Sequence, residues 1–504
     1  MDLSVWAAAQ PDKAAVVDAA GAVLSYADLE ARSNRIAHLF RSLGLQPGDH
    51  VAILSENRLD LFPVVWAAQR TGLLYTPVNW HLTAGEAAYV VENCGATVTI
   101  ASATLADLAM ALPEVEHRFC FGGSIPGHES LEDRVRGLPA TPVPDQCEGS
   151  PMLYSSGTTG RPKGILPPLP EAPFGTGLRF DHLMQASFGF TADTVYLSPG
   201  PLYHAAPLGW SLGAMRSGGT AVIMDRFDAE DVLRLVERDR VTHAQFVPTM
   251  LVRMLKLPAD VRARYDLQSL RLVIHAAAPC PVEVKRAMID WLGPILIEFY
   301  ASSEGNCFFS IDSVTWLAHP GSVGRSVLGE VHVCDESGAE LATGEVGQLW
   351  FSGAAPFSYH GDPDKTAAAY DARGWSTLGD LGRVDEEGFL YLADRRTDLI
   401  ISGGVNIYPR EVEEALILHP SVLDVAVIGV ADDEFGQRVH AVVAPTPGVV
   451  PGPELEAELA AHVRLHVAGF KVPRSWSFED VPRLPSGKIL RRVLLERYRP
   501  SAVS

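Results

Sequence analysis

The sequence predicts an α/β protein: a large N-terminal domain of βα-rich subdomains with mainly parallel sheets, plus a small α+β C-terminal domain. Three observations carry this. Strand and helix patterns alternate through residues 23–80, similar units recur around 221–254 and 270–300, and the chain changes character near residue 394. At 504 residues the chain is too long for one ordinary hydrophobic core, so two or three domains are expected.

Ser25 followed by Asp28 reads as a capping box with aspartate in the glutamate position, and Leu29, Ile36, Leu39, Phe40 and Leu43 recur at helical spacing. Gly44 sits where that helix ends, Pro47-Gly48 turns the chain, and Val51-Ala52-Ile53-Leu54 reads as a buried strand. Phe62, Val65 and Trp66 mark a second helix, in which Pro63 is tolerable only in the first turn. Another strand follows near Leu74–Val78. This rhythm predicts parallel sheets covered by helices. Further on, Asp394-Arg395-Arg396-Thr397-Asp398 separates the apolar runs Phe389–Leu392 and Leu399–Ile401. After it, 410–418 reads as a helix, 422–430 and 438–445 as strands, and 453–466 as a helix. Domains of 1–394 and 395–504 follow.

Composition narrows the function. A formal net charge of −20 argues against nucleic acid as the main partner, because phosphate binding needs a basic face. The balance is uneven: residues 471–500 carry eight Lys/Arg against three acids. Such a tail is either a solvated face or a site for a small polyanion. The six cysteines lie far apart with no zinc-like spacing, and read as reduced, mostly buried thiols of a cytoplasmic protein. No signal peptide is evident, and no apolar stretch approaches the roughly 20 residues that span a bilayer. A homodimer is compatible with the sequence.

The strongest local signal is Tyr154-Ser155-Ser156-Gly157-Thr158-Thr159-Gly160-Arg161-Pro162-Lys163-Gly164. Its glycines let backbone amides turn toward one point, its hydroxyls add donors and its lysine adds charge, which together make a phosphate cradle. It is not a Walker A loop, since Lys163 follows Arg-Pro and no Ser/Thr comes after it. Alone, such a turn is more often an ordinary loop.

Its neighbours change that reading. The segment resembles the phosphate loop of the acyl-adenylate-forming superfamily, which includes acyl-CoA synthetases, amino-acid adenylation domains and firefly-type luciferases. Further motifs follow in the family's order over essentially the whole chain. Tyr300-Ala301-Ser302-Ser303-Glu304 is similar to Tyr-Gly-x-Thr-Glu, and Ser376-Thr377-Leu378-Gly379-Asp380 to the Thr-Gly-Asp segment. Arg395 and Ser402-Gly403-Gly404-Val405-Asn406-Ile407-Tyr408-Pro409 resemble the start of the small domain, and Pro485-Ser486-Gly487-Lys488 its lysine loop.

The resemblance implies a carboxylate attacking the α-phosphorus of ATP with loss of pyrophosphate, then acyl transfer to coenzyme A. Like charges meet in the first step, so neutralisation and positioning supply most of the catalysis. Residues 155–163 are expected to hold the β- and γ-phosphates, with Glu304 and the Ser155 hydroxyl as Mg²⁺ ligands. Tyr300 is expected to stack on adenine opposite Ala277-Ala278-Pro279, with Ser303 beside it. Asp380 is expected to accept from both ribose hydroxyls, and Arg395 to bind the ribose or phosphate side. Lys488 is the expected critical cation of adenylation, a compact charge on a mobile loop. Gly403-Gly404 is expected to line a pantetheine tunnel, and the basic tail to receive CoA phosphates.

Pro201-Leu202-Tyr203-His204-Ala205-Ala206 lacks the aspartate with which amino-acid activators pair a substrate ammonium; His204 resembles the residue beside the carboxylate in aryl- and acyl-CoA ligases. Ala206, Leu208, Gly209, Trp210, Phe246, Val247 and residues 275–278 suggest an apolar acyl pocket, hence a hydrophobic monocarboxylic acid. An acyl-AMP ligase loading a phosphopantetheinyl carrier protein is the alternative. The sequence departs from the family pattern at Ala301, Ser303, Asp394, Thr397, Ala276 and Pro167-Pro168-Leu169-Pro170. The changes at Asp394 and Thr397 bear on domain rotation, and Ala276 on the width of the acyl slot.

Overall fold

In the computed structural model, residues 2–155, 162–393, 398–403, 405–432, 434–484 and 487–498 are described. The local signals at the start of the chain act as expected. Ser25 caps the helix Tyr26–Ser42: its hydroxyl accepts from the Asp28 amide at 3.1 Å and donates to the Asp28 carboxylate at 2.9 Å. Leu29, Ile36, Leu39 and Phe40 are the buried stripe of that helix, and Gly44 takes the left-handed conformation that ends it, with φ +83°. The helix Leu61–Arg70 holds Pro63 in its first turn and is buried at every position. Strands His50–Leu54 and Leu74–Val78 flank it and pair in parallel.

The chain forms two compact units. The first comprises Met1–Phe246, Ala259–Val273 and Pro356–Ala368. Its six-stranded sheet runs Glu129–Ser130, His117–Phe121, Val98–Ser102, His50–Leu54, Leu74–Val78, Ser150–Pro151, with every pair parallel. A second run of strands, His243–Phe246, Val195–Ser198, Thr220–Ile223 and Ala14–Asp18, is also parallel, with Val23–Ser25 added antiparallel at the edge. Strands Leu153–Ser155 and Lys163–Leu166, which enter and leave the phosphate-loop segment, pair antiparallel with each other and then with Ser358–Tyr359. Phe62, Trp66, Tyr75, Phe119 and Tyr26 fill one core. Arg216, 1% exposed, is buried beside Glu148 and 3.1 Å from Asp181, with Trp66 against its guanidinium face.

The second unit comprises Val247–Pro258, Ile274–Ala355 and Ala369–Ser504. Here antiparallel pairing predominates, although Ser475–Phe478 pairs in parallel with Gly436–Pro445. Leu296–Ala301, Phe308–Asp312 and Arg325–Leu328 form consecutive antiparallel pairs, as do Glu330–Cys334, Gly347–Ser352, Leu381–Val384 and Leu390–Ala393. Beyond the hairpin Ile400–Ser402/Val405–Ile407, strands Val422–Asp432, Gly436–Pro445 and Ser475–Phe478 carry helices Pro409–Ile417 and Pro453–Arg464 over an aliphatic core. This is the α+β pattern read from the sequence. The expected junction at 394–397 lies outside the described residues.

No helix among the described residues is long and apolar enough to cross a membrane. All six cysteines are free thiols, five of them buried. Burial raises the Cys94 thiol to about 11, an inert value.

Two buried histidines set an acid limit. Burial lowers His243 and His440 to about 4, and each is 5% exposed. Both are neutral when folded and take up a proton on unfolding once pH drops below the ordinary histidine value. Stability is therefore intact above about pH 6.5 and falls between there and pH 4, by on the order of 3 kcal/mol per histidine. Urea titrations at stepped pH should show this fall, and His440→Gln should flatten it. An unchanged slope in the variant would contradict the assignment.

Candidate active site

Tyr300 lies near the end of the strand Leu296–Ala301, and Asp380 directly precedes Leu381–Val384. The Tyr300 hydroxyl donates to Asp380 Oδ2 at 2.7 Å. One carboxylate oxygen is thereby fixed by the tyrosine expected to stack on adenine. Phe309 and Phe351 pack against the Tyr300 ring at 6.0 and 6.3 Å between centroids. The turn carrying Ser303 and Glu304 is braced from below by Asn306, 1% exposed. Ser302 Oγ donates to Asn306 Oδ1 at 2.7 Å, and Asn306 Nδ2 donates to Ser376 Oγ at 3.0 Å. Ser376 opens the segment that ends on Asp380, so the two motifs are tied by side chains as well as by the Tyr300 bond. Glu304 is half-buried, and its charge, like that of Asp380, helps raise the Cys307 thiol beyond what burial does. Sequence reading missed Asn306, whose only signal is its position two residues after Glu304.

Ala277 adopts φ +76°, a conformation that non-glycine residues avoid. It is exposed together with Pro279, while Ala278 is half-buried. The expected adenine loop therefore presents backbone and small side chains outward.

Lys488 is exposed, at the end of a closed turn. Gly487 N–H donates to Leu484 O at 2.7 Å, and Leu484 N–H donates to Lys488 O at 2.8 Å. Arg483 anchors the turn: it donates to Gly487 O at 2.6 Å and makes two 2.7 Å bonds to Asp424. Gly487 has φ +83°, and a Cβ there would lie 3.0 Å from Val247 Cγ2 and 3.3 Å from Thr249 Oγ1. Only glycine allows this close approach with that backbone. Arg483, expected among the polyanion-binding residues, is instead the brace of the lysine turn.

The rest of the basic tail behaves similarly. Lys471 pairs with Glu411, Arg491 with Glu413 and Asp398, Arg492 with Glu496, and Arg497 with Glu479. Arg474 lies over Phe435 at 4.1 Å. These charges are engaged within the protein, so the tail is largely a set of intramolecular pairs. Gly403, with φ +58°, packs near Phe435, and its amide donates to Phe435 O at 2.8 Å.

In the first unit, Lys163 begins a strand and places its ammonium 4.9 Å from the Tyr359 ring centre. His204 is half-buried at the start of helix Ala205–Arg216, 4.5 Å from the Tyr203 ring. Trp210, expected in the acyl pocket, is instead fully buried among Phe180, Phe188 and Phe190. Ser156, Gly157, Thr158, Thr159, Gly160, Arg395 and Gly404 lie outside the described residues, as does the Ser155 side chain.

The chain belongs to the AMP-binding enzyme family, whose profile it matches over residues 3–359, followed by the AMP-binding enzyme C-terminal domain over residues 411–488. It is 31% identical to the fatty acid–[acyl-carrier-protein] ligase ScoC of Streptomyces coeruleorubidus, covering 95% of this chain and 92% of that one. It is 32% identical to the long-chain-fatty-acid–CoA ligase FadD13 of Mycobacterium tuberculosis, over 94% and 93% of the two chains. The ATP-bound crystal structure of MatB from Rhodopseudomonas palustris superposes with a TM-score of 0.81 at 28% identity, covering 99% of both chains.

Proposed function

We propose that this protein is an AMP-forming acyl-CoA synthetase acting on a hydrophobic monocarboxylic acid. The observation that carries the ATP site is the Tyr300–Asp380 hydrogen bond, which joins an aromatic base platform to a ribose acceptor. Tyr300 holds one Asp380 oxygen, so the carboxylate is oriented before nucleotide arrives. A substrate carboxylate oxygen then forms a bond to the α-phosphorus, and the bond from that phosphorus to the pyrophosphate oxygen breaks. Lys488 supplies the positive charge at the carboxylate and α-phosphate, and residues 155–163 hold the leaving phosphates. In the second half-reaction the CoA sulfur forms a bond to the acyl carbonyl carbon, and AMP leaves with the electron pair of the broken anhydride bond. His204 lies beside the acid, and Gly403-Gly404 opens room for pantetheine.

A single half-buried carboxylate, Glu304, suits Mg²⁺, which keeps most of its water and phosphate oxygens and takes few protein ligands. Glu304 and Ser155 would hold it, and its chemistry there is neutralisation of phosphate charge. Free, buried thiols fit a reducing cytoplasm. We place the hinge of a mobile C-terminal domain at 394/395.

Transfer to a carrier-protein phosphopantetheine is the second reading. It is favoured by the likeness to ScoC and by the basic tail's internal pairing, which leaves fewer charges for CoA phosphates. The test is a panel of aliphatic, aromatic and alicyclic acids, scored for pyrophosphate exchange and for thioester with CoA or a phosphopantetheinyl carrier. Exchange with one or more acids and thioester with CoA are expected. Thioester with the carrier alone would select the second reading, and no exchange with any acid would contradict both.

A further inference from the structure

Behind the loop Ala277-Ala278-Pro279 lies a buried cluster that includes His275, which the sequence suggested for the acyl pocket but which is 0% exposed. Lys285, in the first turn of helix Val282–Leu292, donates to Glu298 Oε2 at 2.7 Å, and the two side chains are 0% and 6% exposed. The Lys285 ammonium also lies 4.7 Å from the Trp316 ring centre. His275 Nε2 is 3.8 Å from the same carboxylate, and neither ring nitrogen has a hydrogen-bond partner among the described residues. The imidazole is fully buried, and burial, helped by the Lys285 charge, holds it neutral.

The chain positions of these three residues give the cluster its meaning. His275 is the last residue of strand Leu272–His275, immediately before the loop. Lys285 is on the helix that the loop leads into. Glu298 is two residues before Tyr300 on strand Leu296–Ala301 and so projects to the same face of it. The ion pair therefore links the far end of the loop to the strand that bears the tyrosine. A buried ion pair seldom adds net stability over apolar residues of similar size. What an apolar pair lacks is a fixed direction and length.

We propose that His275, Lys285 and Glu298 are positioning residues for the nucleotide base: they set the spacing between the Ala277–Pro279 loop and Tyr300. This rests on the reading of those two segments as the walls around adenine. The three side chains are at most 6% exposed, so the cluster acts on base binding through the two walls while leaving phosphate binding alone.

The test is the full-length double variant Lys285→Met/Glu298→Leu, which removes both charges together and so avoids stranding one. Its thermal midpoint should stay near that of the parent. Its KM for ATP in pyrophosphate exchange should rise by ~10-fold or more through misplacement of the walls, with kcat changed less. Inhibition by inorganic tripolyphosphate, which reports the phosphate loop alone, should be unchanged. A parental KM for ATP in the folded double variant would overturn the proposal. If the double variant does not fold, Lys285→Gln/Glu298→Gln, an uncharged pair that can still hydrogen-bond, is compared with Lys285→Met/Glu298→Gln, which cannot. The proposal expects parental KM in the first and raised KM in the second, and equal values overturn it. Ala278→Trp separates the two readings: an ATP KM unmoved by that bulk would show that the loop is not an adenine wall at all.

Discussion

Lys488→Ala should slow adenylate formation by at least ~10²-fold, comparable to the loss of one preorganised oxyanion donor. The side chain is exposed on a turn closed by its own backbone and braced by Arg483 on Asp424, so truncation removes a charge without disturbing a core. Circular dichroism and thermal midpoint should match the parent. Thioester formation from supplied acyl-adenylate should survive much better, because the α-phosphate chemistry is already complete. Single-turnover measurement of each half-reaction separates the two, and equal loss in both would contradict the assigned role.

Asp380→Ala should raise the KM for ATP by ~10²-fold or more, since charge-assisted hydrogen bonds to two ribose hydroxyls are lost at about 1.5–3 kcal/mol each. The variant also removes the acceptor of the Tyr300 hydroxyl's 2.7 Å bond. Tyr300→Phe keeps the ring and the carboxylate and removes only the bond between them, so its effect should be nearer ~10-fold. Steady-state kinetics with ATP and with 2′-deoxy-ATP decide it: the deoxy analogue should lose much less when Asp380 is already absent. Full additivity of the two changes would contradict direct contact between Asp380 and the sugar.

Local chemistry made the first unit legible. The Ser25–Asp28 cap, the stripe from Leu29 to Phe40 and the first-turn Pro63 each act within a few residues, and the structure realises all three. The site was legible only as motifs. Nothing in the spacing of Tyr300 and Asp380, 80 residues apart, announces that one donates to the other. The pairing of the basic tail was illegible for a related reason: the acids that neutralise Lys471, Arg483 and Arg491 lie at Glu411, Asp424 and Glu413, on other elements. Lys285 stands between the charged residues Glu283 and Arg286 and drew no reading from the sequence. Its place three and four residues before the buried Met288 and Ile289 is the one periodic sign that it faces inward.

Acyl-adenylate formation leaves an isotopic record. With an acid from the active panel labelled with ¹⁸O in both carboxylate oxygens, one labelled oxygen should appear in the AMP released and none in pyrophosphate. Label in inorganic phosphate with ADP as the nucleotide product, or unlabelled AMP, would contradict attack of the carboxylate at the α-phosphorus.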